Sequence, residues 1–136
     1  MKSATAYLHF DGNCREAMTF YKDCFGGDVH LVPYPDNQGN SPTDPPAKLM
    51  HSQLTKNGQT VVQASDSAPG GVPKPGDNFS VAIECDSAEE IERLFKVLSQ
   101  GGKVRLPLGD MPWGARFGML TDRFGIQWVF NFQKEK

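Results

Sequence analysis

The chain lacks the features that most quickly betray a function. No run among its 136 residues approaches the ~20 apolar residues of a transmembrane helix, so no membrane partner is expected. Behind Lys2, the segment Met1-Lys2-Ser3-Ala4-Thr5 has no hydrophobic region, and no secretory signal is expected. Cysteine is scarce: Cys14, Cys24 and Cys85 are odd in number and form no CxxC pair. That argues against a disulfide framework and a structural zinc site, fits a cytoplasmic chain, and leaves the three as small apolar packing residues. The net charge is only -2 and Lys and Arg are scattered, so no basic surface invites nucleic acid or an anionic membrane. Nor is any strand followed by a glycine-rich, dinucleotide-style loop and helix.

What the chain does have is one plan, written twice. Residues 6–10 alternate as a short strand, with Leu8 and Phe10 on one side and Tyr7 and His9 on the other. Asp11-Gly12-Asn13 is turn chemistry, with Asn13 as expected N-cap and Glu16 three residues on. Ala17, Phe20, Tyr21, Cys24 and Phe25 follow at helical spacing, and Gly26-Gly27 closes the helix. Near residue 80 the order returns. Residues 80–84 form a strand, Ser87 and Glu90 a capping box, Ile91, Leu94, Phe95 and Leu98 an apolar stripe, and Gly101-Gly102 the stop.

Three strand-like runs follow each double glycine. In the first half they are 29–34, 49–55 and 60–65, with Asn57-Gly58 as a hairpin signal. In the second they are 103–106, 116–120 and 126–132, with a last turn at Phe124-Gly125. Each half therefore reads β-α-β-β-β. Residues 35–46 are too rich in Pro, Asn, Asp and Gly for a strand and are expected to form a loop. Residues 67–77 read as a linker. The expected organisation is one domain over 1–136, with modules 1–66 and 78–136.

The segments YLHFDGNCREAMTFYKDCFGG, MHSQL and WGARFGMLTDRFGIQWVF resemble the vicinal-oxygen-chelate superfamily of glyoxalases, bleomycin-resistance proteins and extradiol dioxygenases, in particular its PhnB-like branch. The resemblance implies an α+β fold in which two βαβββ modules form a curved, mostly antiparallel sheet around a cup, with the helices outside. One departure is Arg123, where the family's last turn usually carries a proline. Some relatives carry a methyltransferase label, which the missing glycine-rich loop does not support.

Metalloenzymes of that superfamily hold a divalent ion through His and Glu from the first and last strands of each half. By alternation, the matching positions here are Tyr7, Ser80, Val129, and Val62 or, if the register slips by one, Gln63. Neutral tyrosine is a poor ligand and valine offers no donor, so no metal and no cofactor are expected.

A ligand is expected in the cup against Tyr7, His9, His51 and Gln63, with Trp113 and Arg116 at its mouth and the 35–46 loop nearby. Strand alternation sends Tyr7 and His9 away from the helix, and a concave pocket with a few converging polar groups is the usual place for a small molecule. The plainer reading of His9 and His51 is as half-buried strand residues bonded to neighbours. Trp113 and Arg116 are equally readable as a core cover and an ion pair with an acid such as Asp122. His30, near a strand edge, carries little expectation. Trp128, Phe130 and Phe132 alternate on one face as core, and Asp122 serves its turn.

These readings favour a metal-free small-molecule-binding protein working as a homodimer. The alternatives are a superfamily enzyme, with an unrecognised metal site or a His acid/base, and an interaction protein that uses the fold as a scaffold.

Overall fold

A computed structural model describes residues 1–35, 48–67 and 72–134. The expected loop beyond Pro35 and the middle of the expected linker lie outside the described residues. The chain divides into two compact units, Met1–Lys74 and Pro75–Lys136.

The first unit contains β1 (Tyr7–Phe10), α1 (Cys14–Phe25), β2 (Asp28–Pro33), β3 (Leu49–Lys56) and β4 (Gln59–Asp66). Its sheet runs β1-β4-β3-β2, with β1 parallel to β4 and the other pairs antiparallel. The second unit repeats this with β5 (Val81–Glu84), α2 (Ala88–Ser99), β6 (Lys103–Asp110), β7 (Ala115–Thr121) and β8 (Gln127–Gln133), in the order β5-β8-β7-β6. Among the described residues, two helices and two mixed four-stranded sheets make the α+β, glyoxalase-like fold that the family resemblance implied.

In the first unit α1 covers one face of its sheet. Leu8, Phe10, Ser52, Leu54, Val62 and Ala64 are buried on that face, and the Cys14 thiol reaches the Ser52 hydroxyl at 3.4 Å. The helix buries Cys14, Ala17, Met18, Tyr21, Cys24 and Phe25. Met18, four residues past Cys14 and three before Tyr21, completes the stripe in place of the expected Phe20, which is only half-buried.

The expected Asn13 cap does not form: Asn13 has φ -111° and ψ 21° and makes no side-chain cap bond. The work passes to buried Asp66 at the end of β4. Its Oδ1 accepts from the backbone N–H of Gly12 at 2.8 Å and of Cys14 at 3.0 Å, and its Oδ2 from Leu49 at 2.8 Å. One carboxylate thus ties the helix start, the start of β3 and the end of β4.

In the second unit the capping box forms as read. Ser87 Oγ accepts from Glu90 N at 3.0 Å, while the Glu90 carboxylate accepts from Asp86 N, one residue before the cap, at 2.8 Å. Asp122 serves its turn as expected: Oδ1 accepts from Phe124 N and Ile126 N, and Oδ2 from the buried Trp128 indole at 2.9 Å. Trp128 and Phe130 are fully buried, and Phe132 is half-buried.

The double glycines have two separate causes. The first of each pair, Gly26 or Gly101, takes a positive φ, +79° and +75°, as a helix exit requires. The second lies under a strand, and Gly27 has a positive φ of +89° as well. A Cβ on Gly27 would stand 2.2 Å from the Thr55 carbonyl oxygen, and one on Gly102 would stand 2.2 Å from that of Thr121.

Candidate functional site

Strand pairing decides which side chains share the face away from α1. Tyr7 is in register with Gln63, and His9 with Ser65. Gln63 is in register with Gln53, and Gln53 with His30. Val32 stands opposite His51. All three histidines of the chain therefore lie on one face, turned from the helix that covers Leu8, Leu54 and Val62.

The register question at the last strand of this unit has a definite answer. Val62 is fully buried on the helix face and Gln63 lies on the other. A shift in the β3–β4 pairing between Leu54 and Thr55 produces this. Without that bulge, a two-residue turn at Asn57-Gly58 would set Gln53 opposite Val62.

Tyr7 is the centre of the arrangement. Its hydroxyl lies 3.3 Å from His51 Nδ1, across the intervening β4, and either group donates according to the imidazole tautomer. Its ring stacks on that of His51 at 5.9 Å and 29°, and tilts against His9 at 5.3 Å. Gln53 stands beside Gln63 and donates from Nε2 to Thr60 Oγ1 at 2.9 Å. His9 and Tyr7 are exposed, and His51, Gln53 and Gln63 half-buried. Of this group, Tyr7, His9, His51 and Gln63 were expected from the sequence; Gln53, Ser65 and the position of His30 were not. Alternation along β3 from His51 is the signal that finds Gln53, whereas Ser65 joins this face only through the bulge between Leu54 and Thr55.

Arg116 belongs to the second unit. In register with Phe132, it shares the α2 side of its sheet with Gly118 and Leu120. Its Nε donates to Glu92 Oε1 at 2.7 Å, and its Nη1 lies 3.4 Å from Asp110 Oδ1. The bond to Glu92 first, and the Asp110 carboxylate with it, holds the guanidinium pKa above its ordinary value. Lys134 donates to Asp110 at 2.7 Å and, with Arg116, holds that carboxyl below the usual range. Arg116 is thus an ion-paired residue, and its acids are Glu92 and Asp110 rather than Asp122. Trp113 is exposed, with its ring edge-on to Phe117 at 6.1 Å. Phe117 alternates with Arg116, so the aromatic plate and the guanidinium do not stand side by side on one face of the sheet.

The donor set does not fit a divalent ion. Val129 carries no donor, Val62 is turned to α1, Ser80 precedes β5, and the Tyr7 hydroxyl pairs with His51. Among the described residues no three His, Cys, Asp or Glu side chains come together. The three cysteines are buried and form no disulfide with one another. Burial pushes the Cys14 thiol up to about 11, and burial with the nearby Glu90, Asp86 and Glu84 pushes Cys85 up to about 12. Neither is an activated nucleophile. Among the described residues no helix is long and apolar enough to cross a membrane.

Residues 6–130 match the model of the glyoxalase/bleomycin resistance protein/dioxygenase superfamily, and the chain belongs to that superfamily. Its relatives include protein YjdN of Escherichia coli K12, 26% identical over 96% of this chain and 95% of that one. The crystal structure of protein PA1353 from Pseudomonas aeruginosa is similar over 98% of this chain and 100% of that one, with 37% identity and a TM-score of 0.81. A PhnB protein from Bacillus cereus is similar over 96% and 99%, with 29% identity and a TM-score of 0.72.

Proposed function

We propose that this PhnB-like protein binds a small organic molecule, without a divalent ion, on the face of the first sheet that carries Tyr7, His9, His51 and Gln63. The observation that supports this most is the meeting of Tyr7 with His51 over β4, with His9 against the same ring. Aromatic and amide groups converge there, and imidazole, phenol and amide together offer donors and acceptors to a bound molecule. The second unit does not offer the same surface: Gln127, on the face away from α2, is already held by Arg105 and by the Gly76 carbonyl. Trp113 and Arg116 belong to the second unit, where Trp113 is exposed and Arg116 is paired with two carboxylates.

The Tyr7–His51 contact also favours a second reading, an enzyme in which that pair moves a proton to or from the bound molecule. A thermal-shift screen of small organic molecules tests the first reading. A stabilising compound should bind His9→Ala and His51→Ala roughly fivefold or more weakly. Unchanged affinity in both, with the fold intact, places the ligand elsewhere. Chemical conversion of the compound by the wild type, lost in His51→Ala, selects the second reading.

We also infer a cytoplasmic homodimer. Each sheet ends in edge strands, β1 and β2 or β5 and β6, and sheet edges are commonly covered by pairing. A monomer mass by light scattering at micromolar concentration overturns this.

A further inference from the structure

We propose that the molecule bound on the Tyr7 face is uncharged and planar, with an amide-like hydrogen-bonding edge, and that anions of the same shape are rejected. The inference rests on the reading of that face as the ligand site. Its basis is where the fixed charges of the four strands go.

Strands β1 to β4 carry only three such residues, Asp28, Lys56 and Asp66. Asp66 is buried on the α1 side, bound to three backbone N–H groups. Lys56 Nζ donates to the Phe25 carbonyl at the end of α1, at 2.6 Å. Asp28 begins β2 opposite Thr55, two residues beyond His30 and at the hairpin end of the sheet. What remains across the middle of the face is Tyr7, His9, His30, Val32, His51, Gln53, Gln63 and Ser65.

That set has no permanent cation. An anion laid on it gives up hydration without gaining a counter-charge, whereas an uncharged ligand gives up much less. The rings of His9, Tyr7 and His51 follow one another at 5.3 and 5.9 Å, inclined by 41° and 29°, and the exposed Tyr7 and His9 rings offer aromatic surface against which a flat π-system packs. Nearby, Gln63 and Gln53 stand in register; Gln53 gives one N–H to Thr60 Oγ1, and the two amides keep further donors and acceptors. Such a pair matches a carboxamide or lactam edge, which also needs both.

Nicotinamide and nicotinate test this, because they share a ring and differ in the charge of one substituent. The full chain is titrated with each at pH 8.5, on the basic side of the ordinary imidazole range, and the imidazole NMR signals of His9 and His51 are followed. Nicotinamide should move both signals, with a dissociation constant at least tenfold below that of nicotinate, and Gln63→Leu should weaken it. Nicotinate binding as tightly as nicotinamide, or more tightly, overturns the ligand class while leaving the face as a binding site. If neither compound moves either signal in the folded protein, both the class and the site reading fall.

Discussion

Tyr7 and His51 sit on strands that do not pair with each other, yet the Tyr7 hydroxyl lies 3.3 Å from His51 Nδ1. The contact bridges β4 above Gln63 and joins the two strands that carry the candidate site. Because both side chains remain partly in solvent, it orders the site without dominating the stability of the unit. Tyr7→Phe should therefore change unfolding free energy by no more than about 0.5 kcal/mol. In nitrogen NMR of the imidazoles it should shift His51 and leave His30 where it was. An unmoved His51 signal would show that the pair does not persist in solution.

The two double glycines make a sharper stability test. A methyl group at Gly27 or Gly102 meets a strand carbonyl that cannot turn away. Gly27→Ala and Gly102→Ala should each cost about 2–4 kcal/mol in denaturant unfolding. Gly125 has a φ of +87°, but a methyl group there would meet nothing within 4 Å. Gly125→Ala should therefore cost only about 1 kcal/mol, the backbone contribution alone. Equal losses at all three positions would mean that the close approach is not what requires glycine.

Asp66 is the third test. Asn in its place keeps the shape but turns one acceptor oxygen into a donor facing a backbone N–H. The helix start or the start of β3 then loses its partner, and the remaining bonds lose their charge. Asp66→Asn should destabilise the protein by about 2–4 kcal/mol. A loss below about 0.5 kcal/mol would mean that Asn13 or water caps α1 instead.

The contrast between Asn13 and Ser87 shows what the sequence could disclose. Ser87 and Glu90 act within one turn, so the spacing alone identifies the cap. Asp66 acts on a helix start 52 residues away, and no local pattern announces it. The same holds for the site. Alternation in β1 placed Tyr7 and His9 opposite Leu8 and Phe10, as observed. The bulge between Leu54 and Thr55, which sets Gln63 rather than Val62 on that face, leaves no mark in composition. Strand β6 runs on to Asp110, past the expected end at Leu106, because register shifts around Leu106 absorb Pro107. Arg116 was legible as a charged residue beside a tryptophan, but its partners Glu92 and Asp110 come from a helix and another strand.

If this superfamily member holds an organic molecule on the Tyr7 face without a metal ion, the protein should carry that molecule out of the cell. Native mass spectrometry of the full chain purified from its own host tests this most directly. The expected result is an organic adduct of small mass that is lost in His51→Ala, with no stoichiometric divalent metal. About one zinc, nickel, iron or manganese per chain, released by substitutions at Tyr7, His9 or His51, would contradict it.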